Sequence, residues 1–469
     1  MADIQEGRIQ RLVAGTDTTT FPATLSATGL FADLADLAPA PGVTPYFINV
    51  PFWSDYANKR RWFIVPDAVS TMTWNRDGAW TFPSGTIWVK HFDLETTRGN
   101  PATSQRIETR LIVKNATGSY GVSYRWNAAQ TDATLVADAG ESFGINVIES
   151  GNPRVQTYRI PSRAECVTCH NPAAGHALSF NTRQMNRVEN IHGFAGNQLT
   201  LLQSAGWFAN TADSPNLLPR HLRADETQFP VEARVRSYLD VNCANCHQPA
   251  TLIAPPSFDA RAHLTLAQTG LIDGPATQNG GNPFNRLIVV SEDVAYRNAH
   301  SIVLNRVAVT NGFTRMPPLG SNELDTAAIA LLTEWLGALP PQQTYAQWRI
   351  ANFGNDTSPE GAPTFDADAD GQTNAQEFLA NTAPQNGATF FTPQISAPGA
   401  NISLTATLPA NRSFQIETST DLVNWSLWDV AGNAGLATPG GLATPGGPVT
   451  VAGPRLGDRH FFRFLLREN

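Results

Sequence analysis

Two segments of the chain repeat one pattern. Cys166-Val167-Thr168-Cys169-His170 and Cys243-Ala244-Asn245-Cys246-His247 each place two thiols three residues apart with an imidazole directly after the second. With 4 Cys and 9 His in 469 residues, chance alone gives such a motif roughly 7 × 10⁻⁴ times, so two copies are not accidental. Paired Cys-x-x-Cys units also hold structural zinc, and two local disulfides are a further rival, but neither needs a His after each second Cys. The spacing suits covalent attachment of a c-type haem: both thiols add to the vinyl groups of one porphyrin and the imidazole takes the proximal iron position. The motifs use every cysteine of the chain, so none is left for a structural disulfide.

Each haem needs a partner on its far side. For the second, Met316 stands on the loop Arg315-Met316-Pro317-Pro318, where two prolines fix an extended path that suits holding a thioether over iron. The bland alternative is a Met packed against a neighbouring domain. For the first haem, Met185, His176, His91 and His192 are all candidates, with Met185 placed first, and an open distal position stands beside them. An open position would change the function.

A chain of 469 residues is long enough for two to four domains. A net charge of −8 argues against nucleic acid or an anionic membrane as partner. Lysine is scarce: Lys59, Lys90 and Lys114 are the only three. No apolar run reaches the length of a membrane span. Met1-Ala2-Asp3-Ile4-Gln5-Glu6 is polar, and the expectation is a mature chain with its export signal removed and Met1 added.

Residues 1–160 read as an N-terminal β-rich domain. A short helix is expected at Leu30–Leu37. Runs such as Arg61-Trp62-Phe63-Ile64-Val65 and Thr109-Arg110-Leu111-Ile112-Val113, rich in β-branched and aromatic residues, then predict an antiparallel sandwich. Residues 161–225 form the first haem segment. Residues 226–340 form the second, with Val231, Val235 and Leu239 on one helical stripe and a later helix capped by Asp325 and stopped by Pro340-Pro341. Residues 341–387 are a linker and 388–469 a second β domain, which carries the duplicated loop Gly435–Gly446. The expected fold class is multidomain α+β: an N-terminal sandwich, a central α-helical diheme region and a C-terminal sandwich.

Within the linker, Asp366-Ala367-Asp368-Ala369-Asp370-Gly371-Gln372 followed by Glu377 matches the calcium loop. Carboxylates fall at positions 1, 3 and 5, glycine at 6, the backbone carbonyl of Gln372 at 7 and Glu377 at 12. A solvated acidic loop is the plain alternative. One such loop between domains stiffens a junction rather than senses Ca²⁺.

A helix leading into Cys-x-x-Cys-His, a Met-Pro loop and a closing helix resemble the cytochrome c domain over residues 226–340. More widely, residues 20–340 resemble a family of exported bacterial diheme c-type cytochromes. The likeness rests on Trp53-Ser54-Asp55, Arg61-Trp62-Phe63 and Thr182-Arg183-Gln184-Met185-Asn186. It implies two covalent haems, electron transfer with a redox protein as donor or acceptor, and a periplasmic, extracellular or cell-surface location. The run Glu417-Thr418-Ser419-Thr420-Asp421-Leu422 with Trp425 resembles C-terminal sandwich modules of exported bacterial proteins, which implies a surface or assembly partner. The resulting expectation is an electron carrier with no catalytic residue assigned. A diheme oxidoreductase or peroxidase with an open first haem is the alternative.

Overall fold

The computed structural model describes residues 21–249, 251, 258–291, 293–339, 344–410, 412–433, 445–455, 457 and 460–468, together with a short strand pair, Ala2–Asp3 and Arg8–Ile9. Pro340-Pro341 and most of the duplicated Gly435–Gly446 loop lie outside them.

One antiparallel meander organises the N-terminal part. Strands β1 (Thr44–Pro45), β2 (Asn58–Ile64), β3 (Ile87–Glu95), β4 (Ser104–Lys114), β5 (Ser119–Trp126) and β6 (Ala133–Leu135) pair in chain order into a six-stranded sheet. Because side chains alternate along a strand, register divides the sheet into two faces. Trp62, Val89, Leu111 and Val122 share one face, which is covered by Leu25, Leu30, Phe31 and Leu37. Phe63, Trp88 and Ile112 share the other, which is covered by Cys166, Phe180, Met185, Leu199 and Phe208. A hairpin of β7 (Glu141–Glu149) and β8 (Asn152–Ile160) packs on Phe92, Leu94 and Ile107 where the central strands β3 and β4 meet their connection.

This arrangement corrects the expected fold class. Among the described residues, strand accounts for 28% against 21% helix, the ten α-helices are scattered among small sheets, and no compact helical region encloses both motifs. The N-terminal part is a single sheet with different coverings on its two faces, not a sandwich. The first haem segment is one of those coverings, so it belongs to the sheet rather than to a helical unit. Strands buried on both faces do not declare what covers them, which is why the pattern misled. The expected helix at Leu30–Leu37 is a strand pair instead, Phe31–Asp33 with Ala38–Pro39. The carboxylates of Asp33 and Asp36 accept the N–H groups of Ala35 and Ala38 at 2.7 and 2.9 Å, turns that compete with helix.

The longest helices pack together within residues 231–339. Helix α2 (Val231–Asn242) lies against α3 (Thr326–Ala338), whose Asp325 cap accepts Ala328 N–H at 3.0 Å. Val235, Leu239, Leu304, Leu332, Trp335 and Leu336 fill the core between them and the helix Ile302–Ala308. In the C-terminal part, two three-stranded antiparallel sheets meet over Ile402, Leu404, Val451, Ile416 and Trp428. No helix among the described residues is long and apolar enough to cross a membrane.

Candidate metal centres

Helix α1 (Arg163–Cys169) carries the first motif. Its start is fixed by a capping box in which Ser162 and Glu165 satisfy each other's backbone N–H groups. Its buried side rests on β5 at Gly121, where an added Cβ would lie 2.6 Å from the Cys166 sulfur. His170 caps the helix. Its Nδ1 donates to the carbonyl of His176 at 2.6 Å, and Ser119 Oγ donates to the His170 carbonyl at 2.9 Å. A ring held through Nδ1 offers Nε2 to a metal, the orientation of a proximal ligand. Burial, then the charge of Lys90, holds that imidazole neutral, with its pKa down at about 3.

The second motif follows α2 directly. Cys243 caps the helix, and the turn is closed by His247 N–H donating to Cys243 O at 2.8 Å. The His247 ring stacks on Phe258 with centroids 4.4 Å apart, and its buried Nδ1 has no partner among the described residues. Met316 is half-buried, and its N–H donates to Arg306 O at 3.2 Å. The charge of Arg306, after burial, also disfavours protonation of His247, so the two expected ligands of the second haem border the same residue.

Far apart in sequence, the two motifs touch. Asn171 Nδ2 donates to Asn245 O at 3.0 Å. The Cys169 and Cys246 thiols lie close enough to influence each other's ionisation, which raises the pKa of the first and lowers that of the second. All four thiols are free. No three of them converge on one point among the described residues, which is what a zinc site would require. The donor set for zinc is thus not assembled, while the His170 ring, held through Nδ1, fits the proximal place of a covalently held haem.

None of the four distal candidates for the first haem lines the cavities against His170. The walls there are Tyr46, Trp88, Lys90, Arg110 and Leu178, with Lys59, Phe92, Tyr158, Cys166 and Cys169 beside them. His91 points to the opposite face of the sheet, and both ring nitrogens are engaged, by Thr109 at 2.8 Å and Asp93 at 3.0 Å. His176 spends its carbonyl on His170 and its ring on Ser119. Met185 is fully buried among aromatic side chains, and His192 sits in the turn of the Val188–Ile191 and Phe194–Asn197 hairpin. Burial lowers Lys59 well below the ordinary lysine range, and lowers Lys90 to about 7.

The Trp53-Ser54-Asp55 run proves to be a latch that sequence reading left without a role. Trp53 N–H donates to Asn242 Oδ1 at 2.8 Å, and Asp55 accepts Glu323 N–H at 2.8 Å. Glu323 is also gripped at 2.9 Å by Arg154. The sheet thus holds both α2 and the loop that follows Met316.

In the acidic loop, carboxylate oxygens of Asp366, Asp368 and Asp370 lie within 4.8 Å of one another. Asp366 Oδ1, Asp368 Oδ2, Asp370 Oδ2 and Glu377 Oε2 are buried without a hydrogen-bond partner among the described residues, the condition a bound cation would relieve. Burial and the three aspartates raise Glu377 to about 7. Gly371 takes the sharp turn at φ 95°. The Gln372 side chain is engaged with Phe391 at both ends, which leaves its backbone carbonyl as donor.

No protein-family model, curated protein or solved structure matches the chain. The likeness to c-type cytochromes thus rests on the residues described above.

Proposed function

We propose that this protein is an exported diheme c-type cytochrome that passes electrons between a redox donor and an acceptor. The reading is carried by the contact between the two motifs: Asn171, next to His170, donates from Nδ2 to the carbonyl of Asn245, inside the second motif, at 3.0 Å. A haem at each motif supplies a one-electron iron couple. The chain's residues do the rest. Cys166 and Cys169 fix one group and Cys243 and Cys246 the other. His170 is oriented by the His176 carbonyl, and Asn171 ties the two loops. His247 and Met316 would ligate the second haem and raise its potential, so electrons run from the first to the second. The Asp366–Glu377 loop would hold one Ca²⁺ and stiffen the junction to the C-terminal sheets, where Arg412 donates to Leu379 O at 3.2 Å. Those sheets would serve a surface or assembly partner.

One observation favours a second reading, a peroxidase-type enzyme. The cavity walls at His170 are largely apolar, carry the cations Lys90 and Arg110, and include none of the candidate distal ligands. The test is one preparation matured with its haem-attachment machinery. Two covalent haems per chain after denaturation, two interacting redox waves and no rapid cyanide binding fit the carrier. Rapid cyanide binding at one haem selects the enzyme, and a chain without covalent haem ends both readings.

A further inference from the structure

Two of the three lysines in the chain lie under the first motif. Register places Arg61, Lys90 and Arg110 side by side across β2, β3 and β4, on the face that carries α1, with Lys59 on the same face. Like charges directly opposite one another on neighbouring strands repel, and buried cations are costly unless paired. Pairing is incomplete here. Arg110 has Glu108 at 2.6 Å, but the same carboxylate oxygen also accepts Tyr158 OH at 2.9 Å. Arg61 is 8% exposed, and its Nε and Nη2 have no partner among the described residues.

The other acids at the cavity of Cys166 and His170 are engaged. Asp55 accepts Glu323 N–H, and Glu165 is bound by Arg159 at 2.7 Å. That cavity shares Phe52, Ser54 and Lys59 with a larger one of about 870 Å³, onto which Arg61 opens. The larger volume falls in the range of about 300–1,000 Å³ usual for cofactor sites. The floor therefore favours an anionic ligand beside Cys166 and Cys169.

We propose that Lys59, Arg61 and Lys90, with Arg110, bind the two propionates of the porphyrin attached at Cys166 and Cys169. This rests on the haem reading above. It adds a binding role for four residues that neither the motifs nor the resemblance assigned. A free oxyanion would satisfy the same charges, so the experiment separates the two sources.

The matured protein is compared with Lys90→Gln, Arg61→Gln, the charge-keeping Lys90→Arg, and Arg159→Gln. Arg159 lines the same cavity but is already committed to Glu165, so the last variant is the control. Covalent haem is counted first, because a wild-type chain without it removes the underlying reading rather than this one. Redox-difference infrared spectra with haem labelled at its propionate carbons should then show carboxylate bands that shift in Lys90→Gln and Arg61→Gln. Those bands should hold in Arg159→Gln and return in Lys90→Arg. The midpoint potential of the first haem should fall with either loss of charge while that of the second stays. Two haems with unmoved propionate bands would overturn the proposal. So would a saturable response of the first haem to added nitrite that Lys90→Gln abolishes, since the floor would then hold a free anion.

Discussion

Gly121→Ala tests whether the first motif is seated on the sheet. The new methyl would stand 2.6 Å from the Cys166 sulfur, 2.7 Å from its Cβ and 3.4 Å from Ile112 Cδ1. Ordinary carbon contacts need about 3.5–4.0 Å, so Cys166 must retreat by roughly 1 Å. The retreat is not free. Helix α1 is anchored at its start by the Ser162–Glu165 box and at its end by the His170–His176 bond. Overpacking a filled core costs about 1–3 kcal/mol, and here the strain falls on a thiol that, in the proposed function, meets a vinyl group. Denaturant titration should show that loss, and covalent haem per chain should fall from two toward one. Gly144→Ala is the control: its methyl would also meet a neighbour at 2.6 Å, but that neighbour is Val155 Cγ1, an exposed side chain free to swing aside. The control should keep both haems. A Gly121→Ala protein with two haems and unchanged stability would refute the seating of α1 on β5.

Met316→Ala should abolish the sulfur-to-iron charge-transfer band of the second haem, and an unchanged band would remove Met316 from the ligand set. Calcium at about one hundred times its dissociation constant should stabilise the junction by about 2.7 kcal/mol, read from denaturant midpoints with and without chelator. Glu377→Gln should lose most of that gain, and equal midpoints in both conditions would count against a bound ion. His91 carries the pH prediction. Burial lowers its pKa, only partly offset by Asp93, so its contribution is present above the ordinary imidazole value and is lost as pH falls. Between pH 6.5 and 5.5, His91→Gln should flatten the fall in stability by at most about 1.4 kcal/mol per pH unit, and parallel curves would contradict it.

What could be read from the chain alone follows how far apart the cooperating residues lie. The Cys-x-x-Cys-His motifs, the acidic loop and the Asp325 cap each gather their groups within a few residues, so spacing carries the information. The cationic floor does not. Lys59, Arg61, Lys90 and Arg110 meet only through strand register, and a shift of one residue would send each to the other face. The meeting of Asn171 with Asn245 depends on two packed units and has no local sign. His91 was a reasonable distal candidate by residue type, but the pleat turns it away from His170. The N-terminal sandwich failed for a related reason: Trp62 and Phe63 are both buried, and alternation cannot tell a second sheet from a loop or helix as the cover.

The closeness of Cys169 to Cys246 bears on how such a chain is assembled. An oxidant that forms disulfides, removing two electrons and two protons from these thiols, would staple one motif to the other. Each porphyrin would then be left with a single anchoring point. Cofactor insertion has to come before the halves close, or a reductant has to guard that pair until it is done. The quality of a preparation would then be set by the order of events during maturation as much as by the stability of the finished fold.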